Sequence, residues 1–355
     1  MNKKLSLPIL RVPKWPAHDQ EAWHAACLSK GWFEDQGPLA RFAPTRLKVF
    51  EAAYGRWLGF LAVYQSEQRW NSGCDALNSG SIPPFVDLLA ESLAPRSVAT
   101  YLADLRIVAL ALAPTQTFPQ LDRAADYFRK TAQPSKNKRD RVVPSRDLFS
   151  LGIHLMDTAP ASGTRLREAR QYRDGLMIAM LAACPIRVAN FASIEIGRHL
   201  IEDATGFRLV FPASEVKNLR PLDYPLPHKL NEPISRYVSL YRPYLLGRRG
   251  RHWQGDPGPA FWISEHGTAL KRVAIWNRIT QRTRERFGSS INPHLFRDCA
   301  ATSIAIELPE QVGIIQPILG HTNAATGQRH YNQARSIDAA RRFQSAIETL
   351  MGETS

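Results

Sequence analysis

The stretch INPHLFRDCAATSIA, residues 291–305, sets His294 and Arg297 three apart, directly after Pro293. Positions i and i+3 share one face of a helix, and a proline suits the first helical turn, where its missing N–H costs nothing. An imidazole and a guanidinium therefore project together from a helix start, a pair able to grip an anion. Three further places carry related chemistry. In "CPIRVAN", Arg187 ends a long apolar run, where solvation is poor and a lone guanidinium is costly. In "ASEVKNLRPLDYPLP", Lys217 stands where a strand gives way to a turn. In "ILGHTNAATGQRHYNQA", His321 follows a glycine and Tyr331 comes soon after. Singly, each has a plainer reading: a capping or salt-bridged arginine, a solvated lysine, a chance HxxR, a packing tyrosine. In this order they are the groups that phosphoryl transfer to a tyrosine needs.

Taken together, these segments resemble the tyrosine recombinase, or phage integrase, family. "PIRVANFASIEI" looks like its first-arginine box, and "EVKNLRPLDYPLP" like its hairpin lysine and closing strand. "PHLFRDCAATSIA" looks like its HxxR box, "ILGH" like its LGH box and "HYNQA" like its tyrosine box. The helical region 45–132, "SVATYLADLRIVA" above all, is similar to the family's core DNA-binding domain. The resemblance implies site-specific cleavage and rejoining of DNA through a covalent 3′-phosphotyrosyl intermediate at Tyr331, serving integration, excision or transposition of a mobile element; the sequence does not distinguish a phage, a transposon or an integrative element from a resolved chromosome dimer.

Physical chemistry gives each group a part in that reaction. A phosphodiester under attack gathers negative charge on its non-bridging oxygens, and the planar donor forks of Arg187 and Arg297 match them. His321 would add a hydrogen bond. His294 titrates near neutrality and would take the proton of the attacking phenol. Lys217 would protonate the leaving 5′ oxygen. No carboxylate cluster suggests a metal site and no Walker-type GxxxxGK[ST] occurs, so neither metal, cofactor nor ATP is expected. Two positions depart from the family pattern. Asn190 stands where an acid is usual; it can still accept a hydrogen bond from Arg187 but provides no charge pairing, and Pro185 replaces a small flexible residue. A type IB topoisomerase-like enzyme would share this chemistry. A non-catalytic DNA-binding accessory protein of the same fold is a further alternative, which the complete set Arg187, Lys217, His294, Arg297, His321 and Tyr331 argues against.

Helices must position these groups. Leu47, Phe50, Tyr54, Trp57, Leu58 and Leu61 recur at helical spacing within 45–64, and Val98, Tyr101, Leu102, Leu105 and Val108 do so within 95–114. Further helices are expected at 18–32, 82–94, 118–132, 145–157 and 164–184. The run "LMIAMLAAC", 176–184, is too short to span a membrane and reads as a buried helix. "HLIED", "GFRLVFPASEVKN" and "LDYPLP" alternate as a small antiparallel sheet, and the pattern turns helical again from 230. The fold class is thus mainly α. A segment of unclear role, 1–40, precedes an all-α core DNA-binding domain, 41–132. A basic linker, 133–145, leads to an α+β catalytic domain, 146–355, ending in a tail helix. The two domains are expected to close around duplex DNA.

Composition points to the same partner. The 355 residues carry 46 Lys and Arg against 32 acids, a net charge of +14, and so basic a chain usually meets a polyanion. Lys136, Lys138, Arg139 and Arg141 make the linker either a solvated spacer or a strap against phosphates. Arg278, Arg282 and Arg286 fall on one helical stripe, either a solvated face or a DNA contact to phosphates or base edges. The four cysteines are scattered without a CxxC pair, and no secretory signal opens the chain, so a reducing cytoplasm is expected. After Tyr331, Ile337, Ala340, Phe343, Ile347 and Leu350 form one apolar stripe. It docks either on its own domain or, as the resemblance implies, on a neighbouring subunit. The expected assembly is a monomer or dimer off DNA and a tetramer on it, with accessory DNA-bending or partner recombinase proteins as further partners and no membrane.

Overall fold

Proline decides where most helices of the first half begin. The computed structural model describes residues 7–29, 35–65, 70–132, 141–248 and 257–315 and divides into two units, 1–137 and 138–355. The first contains α1 (Ala17–Cys27), α2 (Pro44–Tyr64), α3 (Gly73–Ala76), α4 (Ile82–Ser92), α5 (Pro95–Leu112) and α6 (Pro119–Thr131), with no strand among its described residues. A proline fills the first or second position of α2, α4, α5 and α6, where the missing N–H has no partner to lose. The spacing of α2 holds. Phe50, Tyr54, Trp57, Leu58 and Leu61 are buried with Phe85 of α4 and Val98, Leu102, Leu105 and Val108 of α5.

Residues 7–27 are part of this core, and the helix expected over 18–32 stops at Cys27. The main-chain N–H of Leu10 donates to the oxygen of Gly55 at 3.0 Å. A Cβ on Gly55 or Gly59 would lie 2.0 Å from the main-chain oxygens of Leu10 and Pro8. Only glycine lets an extended segment lie that close along α2. Trp15 and Trp23 are buried edge to face at 5.3 Å; Trp32 lies outside the described residues. Asp19 of α1 is fully buried and accepts from Ser72 Oγ at 2.5 Å, Gly73 N at 2.8 Å and Tyr54 OH at 3.0 Å. Three donors on one carboxylate offset the cost of burying it.

The second unit opens with α7 (Ser145–Asp157) and α8 (Arg165–Ala183). These pack through Gly152 and Gly175: a Cβ on either would come within 2.6 Å of main-chain atoms of the other helix. The apolar run of α8, Leu176–Leu181, is fully buried. After α9 (Val188–Ala192), strands β1 (Leu200–Asp203), β2 (Gly206–Phe211) and β3 (Leu222–Pro225) form an antiparallel sheet in the order β1-β2-β3. Leu209 stands opposite Leu200 on one side and Tyr224 on the other. The chain continues through α10 (Asn231–Arg236), a π-helical turn at Tyr237–Tyr241, α11 (Arg242–Leu246), α12 (Arg272–Phe287) and α13 (Pro293–Glu307).

Two details differ from the sequence reading. Strand β2 ends at Phe211, because Pro212 has no N–H for the ladder, and a 3-10 turn at Ala213–Glu215 precedes Lys217. Residues 257–271 form no helix. Pro257, Gly258, Pro259 and Gly267 impose turns there, while Phe261, Trp262 and Ile263 enter the core as short bridges, Glu195 to Ala260 and Ile263 to Ala269. Among the described residues, no helix is long and apolar enough to cross a membrane.

Candidate active site

Pro185 ends the buried path of α8, since a proline cannot continue a helix. Cys184, Pro185 and Ile186 stay buried, and Arg187 emerges at partial exposure as the residue preceding α9. From the other side comes α13. Asn292 caps it, its side chain accepting from Leu295 N at 3.1 Å, with Pro293 in the first turn. His294 is exposed, whereas Arg297, one turn further in, is only 7% exposed. The Arg297 guanidinium donates to the main-chain oxygen of Pro185 at 2.6 Å. That bond pins α13 to the turn that carries Arg187, so two guanidinium groups lie close together.

Their proximity has an electrostatic signature. Burial, and then the charge of Arg187, push the pKa of Arg297 down to about 10. Half-buried Tyr224 of β3 faces the same pair. Burial raises its phenol pKa, Cys184 adds to the rise, and Arg297 and Arg187 oppose it. The thiols beside the site are inert: burial pushes Cys184 up to about 12 and Cys299 up to about 11, so both stay protonated at neutral pH. Two other tyrosines are committed elsewhere. Tyr101 donates to Ala53 O at 2.5 Å in the first unit, and Tyr241 donates to Glu168 at 2.9 Å while stacking on Tyr172.

Lys217 is exposed on the β2–β3 connection, next to buried Val216. The side-chain amide nitrogen of Asn190 donates to the main-chain oxygen of Glu215 at 2.9 Å. The reason lies in the turn at Ala213–Glu215, which brings that oxygen over the first turn of α9, where Asn190 is buried. Glu215 therefore belongs to the site's framework. Sequence reading missed it because its partners, Asn190 and the pair Arg198 and His199, come from two segments well before it in the chain.

The basic residues of α12 do not share one environment. Arg278 lies 3.7 Å from the Glu265 carboxylate, and Arg282 lies 3.3 Å from Asp174 and 3.4 Å from Glu285. These two arginines turn toward acids of their own unit, while Arg286 is exposed. The solvent-facing line of α12 is instead Val273, Asn277, Gln281 and Arg284. An Asp just before the apolar run of α8, Asp174, was the readable sign that a cation would pair with it. Arg141 donates to the main-chain oxygen of Ser290 in the same unit. Lys136, Lys138, Arg139, His321, Tyr331 and the tail residues Ile337, Phe343, Ile347 and Leu350 lie outside the described residues.

Comparison with known proteins bears on the family and the fold. A model of the phage integrase family matches residues 154–336. The chain is 27% identical over 203 residues to a tyrosine recombinase XerD of Staphylococcus saprophyticus, a match spanning 56% of this chain and 61% of that one. It is 26% identical over 252 residues to a tyrosine recombinase XerD of Staphylococcus aureus, spanning 70% and 76%. Among solved structures, a XerH site-specific recombinase bound to a palindromic difH substrate, in a post-cleavage complex, shares the fold. Its TM-score is 0.56 at 12% identity, with 97% of this chain and 100% of that one covered. A pre-cleavage complex of XerH with difH gives 0.53 at 12% identity, covering 96% and 99%.

Proposed function

The chain belongs to the phage integrase family, and on that footing we propose that it is a site-specific tyrosine recombinase acting on duplex DNA. Arg187 and Arg297 clamp the two non-bridging oxygens of the scissile phosphate, and His321 donates a further hydrogen bond. Tyr331 attacks the phosphorus through its phenol oxygen. The P–O5′ bond breaks, His294 takes the phenol proton and Lys217 gives a proton to the departing 5′ oxygen. The phosphotyrosine retains the energy of the broken phosphodiester, so a second 5′ hydroxyl reverses the step on a new partner without ATP. Preorganised cations supply the charge stabilisation, so the step calls for no metal.

One observation carries this reading: Arg297 is bonded to Pro185, two residues from Arg187, which places two cations in one partly buried site. Such a concentration of like charge is unfavourable without an anion, and a phosphodiester is the anion that a chain of charge +14 meets. In this reading the first unit holds the DNA flanking the cleavage point. Four protomers assemble on paired sites through the tail, and the exchange integrates, excises or transposes an element.

Tyr331→Phe tests the chemistry, because it removes only the nucleophilic oxygen. The variant should bind DNA normally but form no covalent adduct on a nicked suicide substrate. Tyr224→Phe, beside the arginines, should still form it. Adducts that persist in Tyr331→Phe and vanish in Tyr224→Phe would move the nucleophile to Tyr224. Mapping cleavage on the DNA flanking the gene identifies the exchange it serves.

A further inference from the structure

Resting on the recombinase reading above, we propose that Glu215 is a positioning residue. With Asn190 and His199 it fixes the base of the β2–β3 connection, so that Lys217 reaches the leaving oxygen beside Arg187. Glu215 is held through both its main chain and its carboxylate. Its main-chain oxygen takes the Asn190 amide at 2.9 Å. One carboxylate oxygen lies 2.8 Å from Nε2 of His199, and the other accepts from Arg198. The geometry settles the histidine tautomer. Glu195 N donates to His199 Nδ1 at 3.1 Å, so the proton of the neutral ring sits on Nε2 and points at Glu215.

His199 is itself immobile: it is 1% exposed and its ring stacks on Phe211 at 4.6 Å. Phe211 is the last residue of β2, and Val210 N donates to the His199 main-chain oxygen at 2.8 Å. The carboxylate of Glu215 is thus anchored to a ring wedged against the strand from which the connection departs. Asn190 lies three residues after Arg187, and Glu215 lies two before Lys217. One hydrogen bond therefore spans from the turn that aims the clamp to the turn that aims the proton donor. Beyond Lys217 the path is sharp. Leu219 holds a positive φ of 53° while its N–H donates to Val216 O at 2.8 Å. A fixed base and a tight turn leave Lys217 exposed yet restricted in where it can reach.

The experiment compares two suicide substrates, one with an ordinary 5′ oxygen leaving group and one with sulfur there, which departs without a proton. Glu215→Ala should cleave the ordinary substrate about tenfold to a hundredfold more slowly, the usual scale for misplacing a reacting group. Its affinity for one half-site should stay unchanged. On the sulfur substrate its rate should return to that of the unsubstituted protein, a recovery that loss of fold would not produce. Asn190→Ala, which cuts only the bond to the main chain, should show the same pattern in weaker form, and Glu215→Gln, which keeps an acceptor for His199, should lie between. Equal slowing on both substrates, or no slowing on either, overturns the proposal. If the unsubstituted protein forms no adduct with either substrate, the recombinase reading itself fails, and this inference with it.

Discussion

Arg297 donates from its guanidinium to the main-chain oxygen of Pro185 at 2.6 Å, which sets it beside Arg187 in a partly buried site. The bond gives Arg297 a fixed direction, and the neighbouring charge gives it a penalty. Its pKa falls to about 10 because burial and Arg187 both disfavour the charged form. The sign of the linkage follows: a base with a lowered folded pKa costs stability at neutral pH, and that cost fades as pH rises through about 10.

Removing Arg187 should therefore separate stability from catalysis. Arg187→Ala relieves a like charge, and unfolding should become harder at pH 7 by on the order of 1 kcal/mol. DNA cleavage should drop by ~10²–10³, the usual loss for one stabilising donor. Chemical denaturation and adduct formation measure the two effects. A clear loss of stability would make Arg187 a structural residue and remove the like-charge argument.

Asp174 should behave in the opposite way. It is 1% exposed, pairs with Arg173 at 2.7 Å and receives Arg282 at 3.3 Å, while Arg173 also donates to Ile263 O at 2.9 Å. Asp174→Ala strands a buried guanidinium and should lower the unfolding free energy by about 3–5 kcal/mol. Arg282→Ala should cost less, because Arg173 still satisfies Asp174. The same variant separates the two uses of the basic stripe. If Arg282→Ala weakens DNA binding without moving the melting temperature, the cation serves phosphates rather than Asp174.

Charge predicts how binding responds to salt. Log affinity for duplex DNA should fall linearly with log salt, by ~0.9 per phosphate contact. Arg284→Ala and Arg286→Ala, exposed on α12, should flatten that slope by about one contact each if they touch phosphate. Filter binding across a salt series reads the slope. An unchanged slope in both variants would place the DNA on another face.

How much of this was legible beforehand depends on the range of the interaction. Helices whose apolar residues keep a 3.6 period, such as α2 and α5, were readable because period and burial report the same face. Box motifs were readable because their residue types are what phosphate chemistry demands. What escaped the sequence was long-range pairing. Whether Arg282 meets solvent or Asp174 depends on how α12 rotates against α8, and no local pattern encodes that rotation. The bond from the Asn190 amide to the Glu215 main chain was equally hidden, because it depends on a turn that folds Glu215 over α9. The role of residues 7–27 was hidden as well, since the close approach of Leu10 and Pro8 to Gly55 and Gly59 joins segments far apart in sequence.

The tail offers the most consequential test of assembly. Near the end of the described chain, Ile306, Leu308 and Ile314 are 39%, 43% and 37% exposed, around the small buried cluster of Ala301, Ala305 and Ile315. The stripe of Ile337, Phe343, Ile347 and Leu350 follows in sequence. Fully burying such side chains is worth ~1.5–3 kcal/mol each, a gain that docking on a neighbouring subunit would supply. Strand exchange must coordinate several active sites, and a segment placed directly after the nucleophile can report a neighbour's state. A head-to-tail exchange of that segment closes into a ring by symmetry. Truncation after Ala334 should then leave binding to one half-site nearly intact while abolishing the DNA-bound tetramer and recombination. Gel shift on a half-site and sizing of the complex on full sites measure both. Tetramers that survive the truncation exclude docking in trans, and loss of half-site binding through unfolding assigns the stripe to the core of its own unit.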